Sequence, residues 1–308
     1  MTPRSGATSS GPWERSLTDP IVYPRPEPAA GQVAFIRVFV DPEAGEQGGN
    51  PVPLVLDAGS MTAADMQALA ARHGHESAFV LAPDDPDRHD WRLRFFVPGH
   101  EMEMCGHATV GTLWALRQWK RWSGPKACVE TLSGSVDIAW DEQRHRVWIS
   151  QPGVKVEPVS PRQLAAIARV LRIDPSTPGL HAVNASTSRV KTLVRLPDAA
   201  MLDALEPDFS SVEPLCEEIA STGLYPYALH EEGAFARQFP KSSGYPEDAA
   251  TGIAAAALWG YLRGQGWISA EPYTVRQGIA MGAPSAIQLR AREAQAGCWL
   301  SGEVRWQS

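Results

Sequence analysis

Apolar residues recur along the first half of the chain in blocks that predict a regular series of strands and helices. Short apolar runs with the length of buried strands lie at residues 35–40, 52–56, 77–81, 91–97, 129–132, 135–140 and 147–150. Thr62 is placed to cap a helix whose Met66 and Leu69 share one face. A mostly apolar stretch at 109–119 predicts a second helix, which should be buried.

The second half of the chain repeats landmarks of the first half at a nearly constant spacing. Phe239 lies 143 residues after Phe96, and Trp259 lies 145 residues after Trp114. The uniformly apolar stretch at 254–262 predicts the counterpart of the first buried helix. A long repeat present twice indicates a duplicated domain, since a solenoid has shorter and more numerous units. We therefore predict an α+β fold of two pseudo-symmetric halves.

The repeat also divides the chain and predicts where a site lies. The halves are expected at residues 33–150 and 151–308, with the last strand able to cross into the first half. In each half a glycine-rich loop leads into the buried helix, and the repeat places Ala250 over Cys105 and Gly252 over His107. The first N–H groups of a helix have no partner within the helix and attract anions. Two such helix starts facing each other would suit a small carboxylate substrate.

Residues 1–32 form an extension of different composition. The segment carries six prolines, which break helices and central strands, and much of the remainder is Ser and Gly. One interpretation is a poorly ordered tail. The alternative is an arm that packs along the domain or a partner subunit through Trp13, Ile21, Val22 and Tyr23.

Composition and charge exclude several classes of function. The 308 residues carry a net charge of −7 and no basic block, so no nucleic-acid partner is expected. No apolar run reaches the roughly 20 residues that a membrane-spanning helix needs, so no membrane partner is expected. The four cysteines form no CxxC pair and no signal peptide is evident, which favours reduced thiols and a cytoplasmic location.

Four residues can carry chemistry. Cys105, His107 and Asp248 lie near the predicted helix starts, and Glu76 is a lone acid that begins an otherwise apolar strand. Each also has an ordinary structural interpretation. Glu76 could be a solvated acid at a strand end, and Asp248 could cap its helix. His107 could bind a backbone carbonyl, and Cys105 could be a small buried apolar side chain.

Several segments in order resemble the PhzF phenazine-biosynthesis family. The matching segments are residues 39–51, 75–80 (HESAFV), 105–111 (CGHATVG), 246–252 (PEDAATG), 277–285 and 301–304. The likeness runs from about residue 33 to the end, so only the extension lies outside it. The resemblance implies a diaminopimelate epimerase-like fold, in which each half wraps a curved, mostly antiparallel sheet around one central helix.

The resemblance also implies an activity and a set of site residues. The family includes trans-2,3-dihydro-3-hydroxyanthranilate isomerase, which implies a cofactor-independent isomerase acting on a small carboxylate, in secondary-metabolite biosynthesis, and commonly a homodimer. Glu76 corresponds to the family's proton-shuttling acid. The implied substrate-binding residues are His107, Asp248, Gly106, Gly252, Ile253, Asn50 and Ser77.

Two positions depart from the family pattern, and both lie in motifs that the resemblance places at the pocket. Ile253 stands where members often have Ser, which removes a hydroxyl contact but keeps the backbone amide. His75 stands where Ser is common, so the usual small hydroxyl next to Glu76 is missing. The change at Ile253 predicts a substrate that differs near that end of the pocket.

Residue chemistry separates the possible reactions. Fold relatives that racemise proline use two cysteines, one on each helix start, but Ala250 at the position aligned with Cys105 cannot hold a proton. We therefore interpret Cys105 as structural and Glu76 as the single acid and base, with its pKa raised by an apolar cleft. The alternatives are a racemase or epimerase that uses Glu76 and Asp248 as opposed acids, and a catalytically silent binding protein.

The sequence supports no metal or nucleotide cofactor. His73, His75 and Glu76 lie close together along the chain, but their spacing matches no common metal site. No GxGxxG, P-loop or GxSxG motif occurs. We therefore expect no cofactor and no bound metal.

Overall fold

The two halves of the chain are built on the same plan. The computed structural model describes residues 25–45, 48–268, 271–293 and 295–307. The first half contains strands β1 (Val33–Val40), β2 (Asn50–Val55), β3 (Ser77–Leu81), β4 (Trp91–Phe96), β5 (Glu101–Met102), β6 (Lys126–Thr131), β7 (Gly134–Asp141) and β8 (Arg146–Gln151), and β9 (Lys155–Pro158) lies in the connection to the second half. Its helices are α1 (Ala63–His73) and α2 (Gly106–Gln118).

The second half contains the same kinds of element. Its strands are β10 (His181–Ser186), β11 (Val190–Arg195), β12 (Gly223–His230), β13 (Gly233–Ala236), β14 (Phe239–Pro240), β15 (Tyr273–Gln277), β16 (Ser285–Ala291), β17 (Cys298–Ser301) and β18 (Glu303–Trp306). Its helices are α3 (Pro161–Leu171), α4 (Ala199–Asp203), α5 (Phe209–Glu218) and α6 (Gly252–Gly264).

The order of strand pairing is the same in both halves, which confirms the predicted pseudo-symmetric α+β fold. In the first half β1, β2, β3, β4, β6, β7 and β8 pair in that order, and the β2–β3 and β4–β6 pairs are parallel. In the second half β10, β11, β12, β13, β15, β16 and β17 repeat this order, with β11–β12 and β13–β15 parallel. The remaining pairs in each series are antiparallel.

Strands also connect the two halves. β18, at the end of the chain, pairs with β1 in the first half, and β9 pairs with β10 in the second half. β8 and β17 pair directly, with Ile149 opposite Leu300. The two sheets are therefore continuous, and this continuity holds the cleft between the halves in a defined geometry.

Each sheet wraps around one central helix. α2 packs against β1, β2, β3 and β8, while α6 packs against β10, β11, β16 and β17. Gly111 of α2 allows a close approach to β1, since a Cβ at this position would lie 2.5 Å from Cγ2 of Val38. Residues of both helices, including Leu113 and Leu258, belong to one buried apolar core.

Both central helices begin earlier than the apolar pattern predicted. α2 begins at Gly106, not at residue 109, and α6 begins at Gly252, not at residue 254. Gly106 and Gly252 have no apolar side chain and a low helix propensity, so a prediction based on apolar residues did not include them in the helices. The difference matters because the first turns of these helices lie at the cleft.

The helix starts also correct the expected pairing of residues between the halves. Both central helices span 13 residues, with Cys105 as the N-cap of α2 and Thr251 as the N-cap of α6. The counterpart of Cys105 is therefore Thr251, not Ala250, and the counterpart of Gly106 is Gly252. The alignment based on the Phe96–Phe239 and Trp114–Trp259 spacings was therefore wrong by one residue at the site. A threonine hydroxyl does not supply a second thiol, so the chain still lacks the two-cysteine arrangement.

Part of the N-terminal extension packs on the first half. Trp119 Nε1 donates a hydrogen bond of 3.1 Å to the carbonyl of Arg25, and Arg121 pairs with Glu27 at 2.5 Å. The proposed anchors Trp13, Ile21, Val22 and Tyr23 lie outside the described residues.

The described helices also bear on membrane association. Within the described ranges, no helix is both long enough and apolar enough to cross a membrane.

Candidate active site

Glu76 lies at the junction between α1 and β3. α1 ends at His73, its C-cap Gly74 adopts a left-handed conformation with φ of 68°, and β3 begins at Ser77. The Glu76 side chain is only 11% exposed. Burial raises the pKa of Glu76 above its usual value, and the nearby positive charge of Arg189 opposes this shift. A carboxyl with a raised pKa is suited to exchange protons near neutral pH.

Two residues at the start of α2 contact this carboxyl group. His107 Nε2 lies 3.1 Å from Glu76 Oε2, and the Cys105 thiol donates to the same oxygen over 3.5 Å. Burial lowers the pKa of His107 to about 4, so the ring is neutral at pH 7 and its contact with Glu76 is a hydrogen bond, not an ion pair. Burial also raises the pKa of Cys105, so its sulfur remains a thiol.

Asp248 lies just before the start of α6 and is held by neighbours from both halves. Asn50 Nδ2 donates to Asp248 Oδ1 over 2.7 Å, and the Thr251 hydroxyl donates to Oδ2 over 2.5 Å. Burial, together with the negative charge of Glu76, raises the pKa of Asp248 to about 6. The two carboxyl groups of the cleft therefore affect each other's protonation.

The starts of the two central helices meet in the cleft. A Cβ on Gly106 would lie 3.6 Å from the Cα of Gly252, so the two backbones approach closely. The first intrahelical bonds run from Thr109 N to the Cys105 carbonyl and from Ala254 N to the Thr251 carbonyl. The N–H groups that precede these bonds point out of the helix starts, where they can bind an anion.

Two cavities adjoin these groups. A small one of about 20 Å³ lies between the helix starts, and a larger one of about 300 Å³ lies beside it. Glu76 and Asp248 line both cavities, so the two carboxyl groups stand where the cavities adjoin. The larger cavity has room for a small metabolite, and the smaller one has about the size of one water molecule.

The structure brings most of the predicted site residues together. The predicted residues that line the small cavity are Glu76, His107, Asp248, Gly106, Gly252 and Ile253. Asn50 lines the larger cavity instead. Ser77 lines neither cavity, because its side chain is fully buried and its hydroxyl donates to the His75 carbonyl. The two departures from the family pattern also reach the cavities, Ile253 at the small one and His75 at the larger one.

Sequence reasoning missed several residues around the site. Gln277 is fully buried and donates to the Asp248 carbonyl (2.7 Å) and to the Thr251 hydroxyl (3.1 Å). Tyr245 lines the larger cavity and lowers the pKa of Glu76 through a hydrogen bond. Lys191, only 5% exposed, has its pKa lowered to about 8 by burial. The position of Lys191 within a strand, where a lysine is rarely buried, was the signal that could have indicated it.

The structure also shows which residues could hold a metal ion. His73 packs edge-on against the Phe35 ring at 5.1 Å. The donor atoms of Glu76, Cys105 and His107, in contrast, lie within 4.8 Å of one another. These three residues are the metal-ligating group found in the described part of the chain.

Comparison with solved structures identifies the fold. A PhzF-family phenazine biosynthesis protein from Bacillus anthracis superimposes with a TM-score of 0.77 at 23% identity, over 90% of this chain and 96% of that chain. A hydroxyproline epimerase from Agrobacterium vitis, with bound trans-4-hydroxy-L-proline, has a TM-score of 0.56 at 10% identity, over 90% of each chain. The chain thus has the predicted diaminopimelate epimerase-like fold.

Sequence comparison identifies the family. An uncharacterized isomerase of Deinococcus radiodurans is 33% identical over 253 residues, which cover 78% of this chain and 81% of that protein. The uncharacterized isomerase YfhB of Bacillus subtilis is 27% identical over 256 residues, 80% of this chain and 86% of that protein. The family model for phenazine biosynthesis-like proteins matches residues 41–303. The chain therefore belongs to the PhzC-PhzF family of phenazine biosynthesis-like proteins.

Proposed function

We propose that the protein is an isomerase that moves a proton between two carbons of a small carboxylate metabolite, with Glu76 as acid and base and without a cofactor. The observation that carries this proposal is the position of Glu76, a mostly buried carboxyl with a raised pKa at the meeting point of two helix starts. The names of the relatives in Deinococcus radiodurans and Bacillus subtilis support the reaction class. The family name supports a role in secondary-metabolite biosynthesis.

Substrate binding follows from the helix starts. The backbone N–H groups of residues 106–107 and 252–253 would hold the substrate carboxylate, since helix N-termini favour anions. His107 and Asp248 would orient the remainder of the substrate. Ile253, only 4% exposed, gives this end of the cavity an apolar wall, so we expect an apolar substrate surface there.

The proton transfer needs only one side chain. Protonated Glu76 gives its proton to one carbon of the substrate and, now a carboxylate, removes a proton from another carbon on the same face. Glu76 is protonated again at the end of the reaction, and the substrate is converted to an isomer. The protonated substrate carries one more positive charge, which the newly formed Glu76 carboxylate balances, while the helix-start amides hold the substrate carboxylate in place.

A second candidate function is epimerisation by two opposed acids. The observation that favours it is that Glu76 and Asp248 line the same cavities and that both have raised pKa values. In this reaction one carboxylate would remove a proton from one face of a carbon, and the other carboxyl would return a proton to the opposite face. Asn50 and Thr251 favour the first candidate, because their hydrogen bonds hold Asp248 in place and occupy its oxygens.

A panel of small carboxylates tests the proposed function. We expect the enzyme in D2O to remove the NMR signal of one C–H proton from its substrate and to produce the signals of an isomer. The Glu76→Gln variant, incubated with the same panel, should leave all signals unchanged. Rearrangement at the same rate in both proteins would contradict the proposal.

We also propose that the chain forms a homodimer, as the resemblance to the PhzF family implied. Static light scattering at micromolar concentration should give about twice the chain mass of 33.4 kDa. A mass equal to one chain would contradict this part of the proposal.

A further inference from the structure

The two halves differ in the contact that is made just before each central helix. Asp248 lies three residues before the N-cap of α6 and Met102 three residues before the N-cap of α2, so the two residues are counterparts. Asn50, at the start of β2, donates to Asp248 over 2.7 Å. Arg189, directly before β11, donates from Nη2 to the Met102 sulfur over 3.6 Å. An amide thus contacts a carboxylate in one half, and a guanidinium contacts a thioether in the other.

Arg189 has no strong acceptor for its charge. A thioether sulfur is only a weak hydrogen-bond acceptor. The Nε atom of Arg189 is buried and has no hydrogen-bond partner among the described residues. No carboxylate of these residues forms an ion pair with Arg189 either. Since a cation that has lost water without gaining an anion is unfavourable, an anion supplied by a ligand would be stabilised here.

Lys191 adds a second positive charge on the same face. Alternate residues of a strand share a face, so Lys191 in β11 points to the same side as Arg189. Lys191 is only 5% exposed, and its Nζ donates to the Thr222 carbonyl over 3.3 Å. Burial and then the charge of Arg189 lower the pKa of Lys191 to about 8, so it is still mostly protonated at pH 7. Both cations also act on the pKa of Glu76, which places them within electrostatic reach of the site.

There is space for a ligand group beside Arg189. Met102, which Arg189 contacts, lines the small cavity between the helix starts. Thr187 and Ser188, which directly precede Arg189, line a third cavity of about 510 Å³. Met104 lines both the small and the third cavity, and a methionine side chain is flexible enough to adapt to a ligand. The buried Thr187 hydroxyl has no partner in the part of the chain that the structure describes and can donate to an anion.

The other charged residues of the third cavity leave Arg189 as the cation that lacks a carboxylate. Arg292 also lines this cavity, but it is paired with Asp137 at 2.5 Å. Glu103 lines it as well, but this residue is exposed, so solvent and salt screen its charge.

We propose that Arg189 binds a second anionic group of the substrate, so that the substrate is a dicarboxylate. This proposal rests on the proposed function, which places the first carboxylate at the helix starts. Arg189 lies on the far side of Met102 from the small cavity, so it serves a group other than the carboxylate that binds there. The guanidinium turns from the Met102 sulfur to the second carboxylate, and Lys191 keeps the potential around it positive.

Matched pairs of small acids test the proposal before the natural substrate is known. Succinate, glutarate and adipate are titrated calorimetrically into the full-length protein, each beside the monocarboxylate of equal length: butyrate, valerate or hexanoate. At least one dicarboxylate should bind about 10–100-fold more tightly than its partner, the gain expected from a hydrogen bond between charged groups. Arg189→Gln should abolish this preference, and Arg189→Lys should keep part of it.

The preference separates a binding role of Arg189 from a structural one. A structural role would weaken both members of a pair equally and leave their ratio unchanged. Arg162→Gln is the control, since Arg162 is an exposed arginine of α3 that lines none of the three cavities. Arg189→Met replaces Arg189→Gln if that variant does not fold. Equal affinities within every pair, no saturable binding of any dicarboxylate, or a preference that persists without Arg189 would overturn the proposal.

The Glu76→Gln variant separates this proposal from the proposed function. A dicarboxylate preference that depends on Arg189 would support the second anion site even if Glu76→Gln left turnover unchanged and so contradicted the role of Glu76. A loss of turnover in Glu76→Gln without any dicarboxylate preference would overturn the second anion site and leave the role of Glu76 intact.

Discussion

Glu76→Gln should lower turnover by about 10²–10⁴-fold or more, the range expected when general acid–base catalysis is lost. Glutamine has nearly the same shape and can keep the contact with His107, which lies 3.1 Å from the carboxyl oxygen in the wild type. It has no proton that it can give and take back. The expected result is therefore a large loss in kcat with substrate binding retained, which steady-state kinetics and a binding titration can separate.

Cys105→Ala is the matched control for this prediction. Cys105 touches the same carboxyl oxygen at 3.5 Å, so its removal perturbs the surroundings of Glu76 without removing the acid. Its counterpart in the second half is Thr251, so the chain has no second thiol for a two-cysteine reaction. We expect the cysteine variant to retain most of its turnover. An inactive cysteine variant together with an active Glu76→Gln variant would mean that the chemistry depends on the thiol.

Asp248→Asn should separate activity from stability. Turnover should fall by about 10–100-fold, because a hydrogen bond to a charged group contributes about 1.5–3 kcal/mol. The free energy of unfolding should instead increase in the variant at neutral pH. In the folded protein Asp248 has its pKa raised from 3.8 to about 6, so keeping it ionised costs about 3 kcal/mol at pH 7. An asparagine avoids this cost and can still accept from Asn50.

The raised pKa of Asp248 determines how the stability difference between the variant and the wild type changes with pH. A raised folded-state pKa means that the folded protein binds the proton more tightly, so the contribution to stability is full below pH 3.8 and is lost as the pH rises through about 6. The free energy of unfolding of Asp248→Asn, relative to the wild type, should therefore increase over this interval and then level off. Urea denaturation of both proteins across about pH 4–8 measures it.

Asp65→Asn is a control with the opposite sign. Hydrogen bonds from Thr62 at the start of α1 lower the pKa of Asp65, so its carboxylate stabilises the fold at neutral pH. This variant should be less stable than the wild type at neutral pH, with a difference that shrinks as the pH falls. If Asp248→Asn behaves in the same way as Asp65→Asn, then the ionised Asp248 stabilises the fold, and it is not a buried carboxylate that destabilises it.

The repeat and the central helices could be predicted from the sequence because both rest on local patterns. The apolar stretches around Leu113 and Leu258 mark buried helices, and their regular offset marks the duplication. The likeness of residues 75–80, 105–111 and 246–252 to one family indicated which side chains would meet. These segments supply Glu76, His107 and Asp248, which all line the small cavity.

The details of the site depend on contacts between distant segments and could not be predicted. The N-cap position of Thr251 depends on where α6 begins, which the apolar pattern placed two residues too late. The contact of Cys105 with Glu76 requires α2 to pack against the start of β3, so a cysteine that was interpreted as structural lies against the acid. Ser77 belongs to a pocket motif, yet its side chain points into the core.

The central claim is that Glu76 alone carries the proton, and the most direct test follows a label on the substrate. The substrate found in the panel is deuterated at the carbon that loses its hydrogen and is converted in H2O. A single shuttle on one face predicts that part of the deuterium appears at the new position in the product, because Glu76, after it has removed the deuterium from one substrate molecule, delivers it to the next one before all of it exchanges with solvent. A product without deuterium, together with recovered substrate of inverted configuration, would contradict the account and show that two opposed acids perform the reaction.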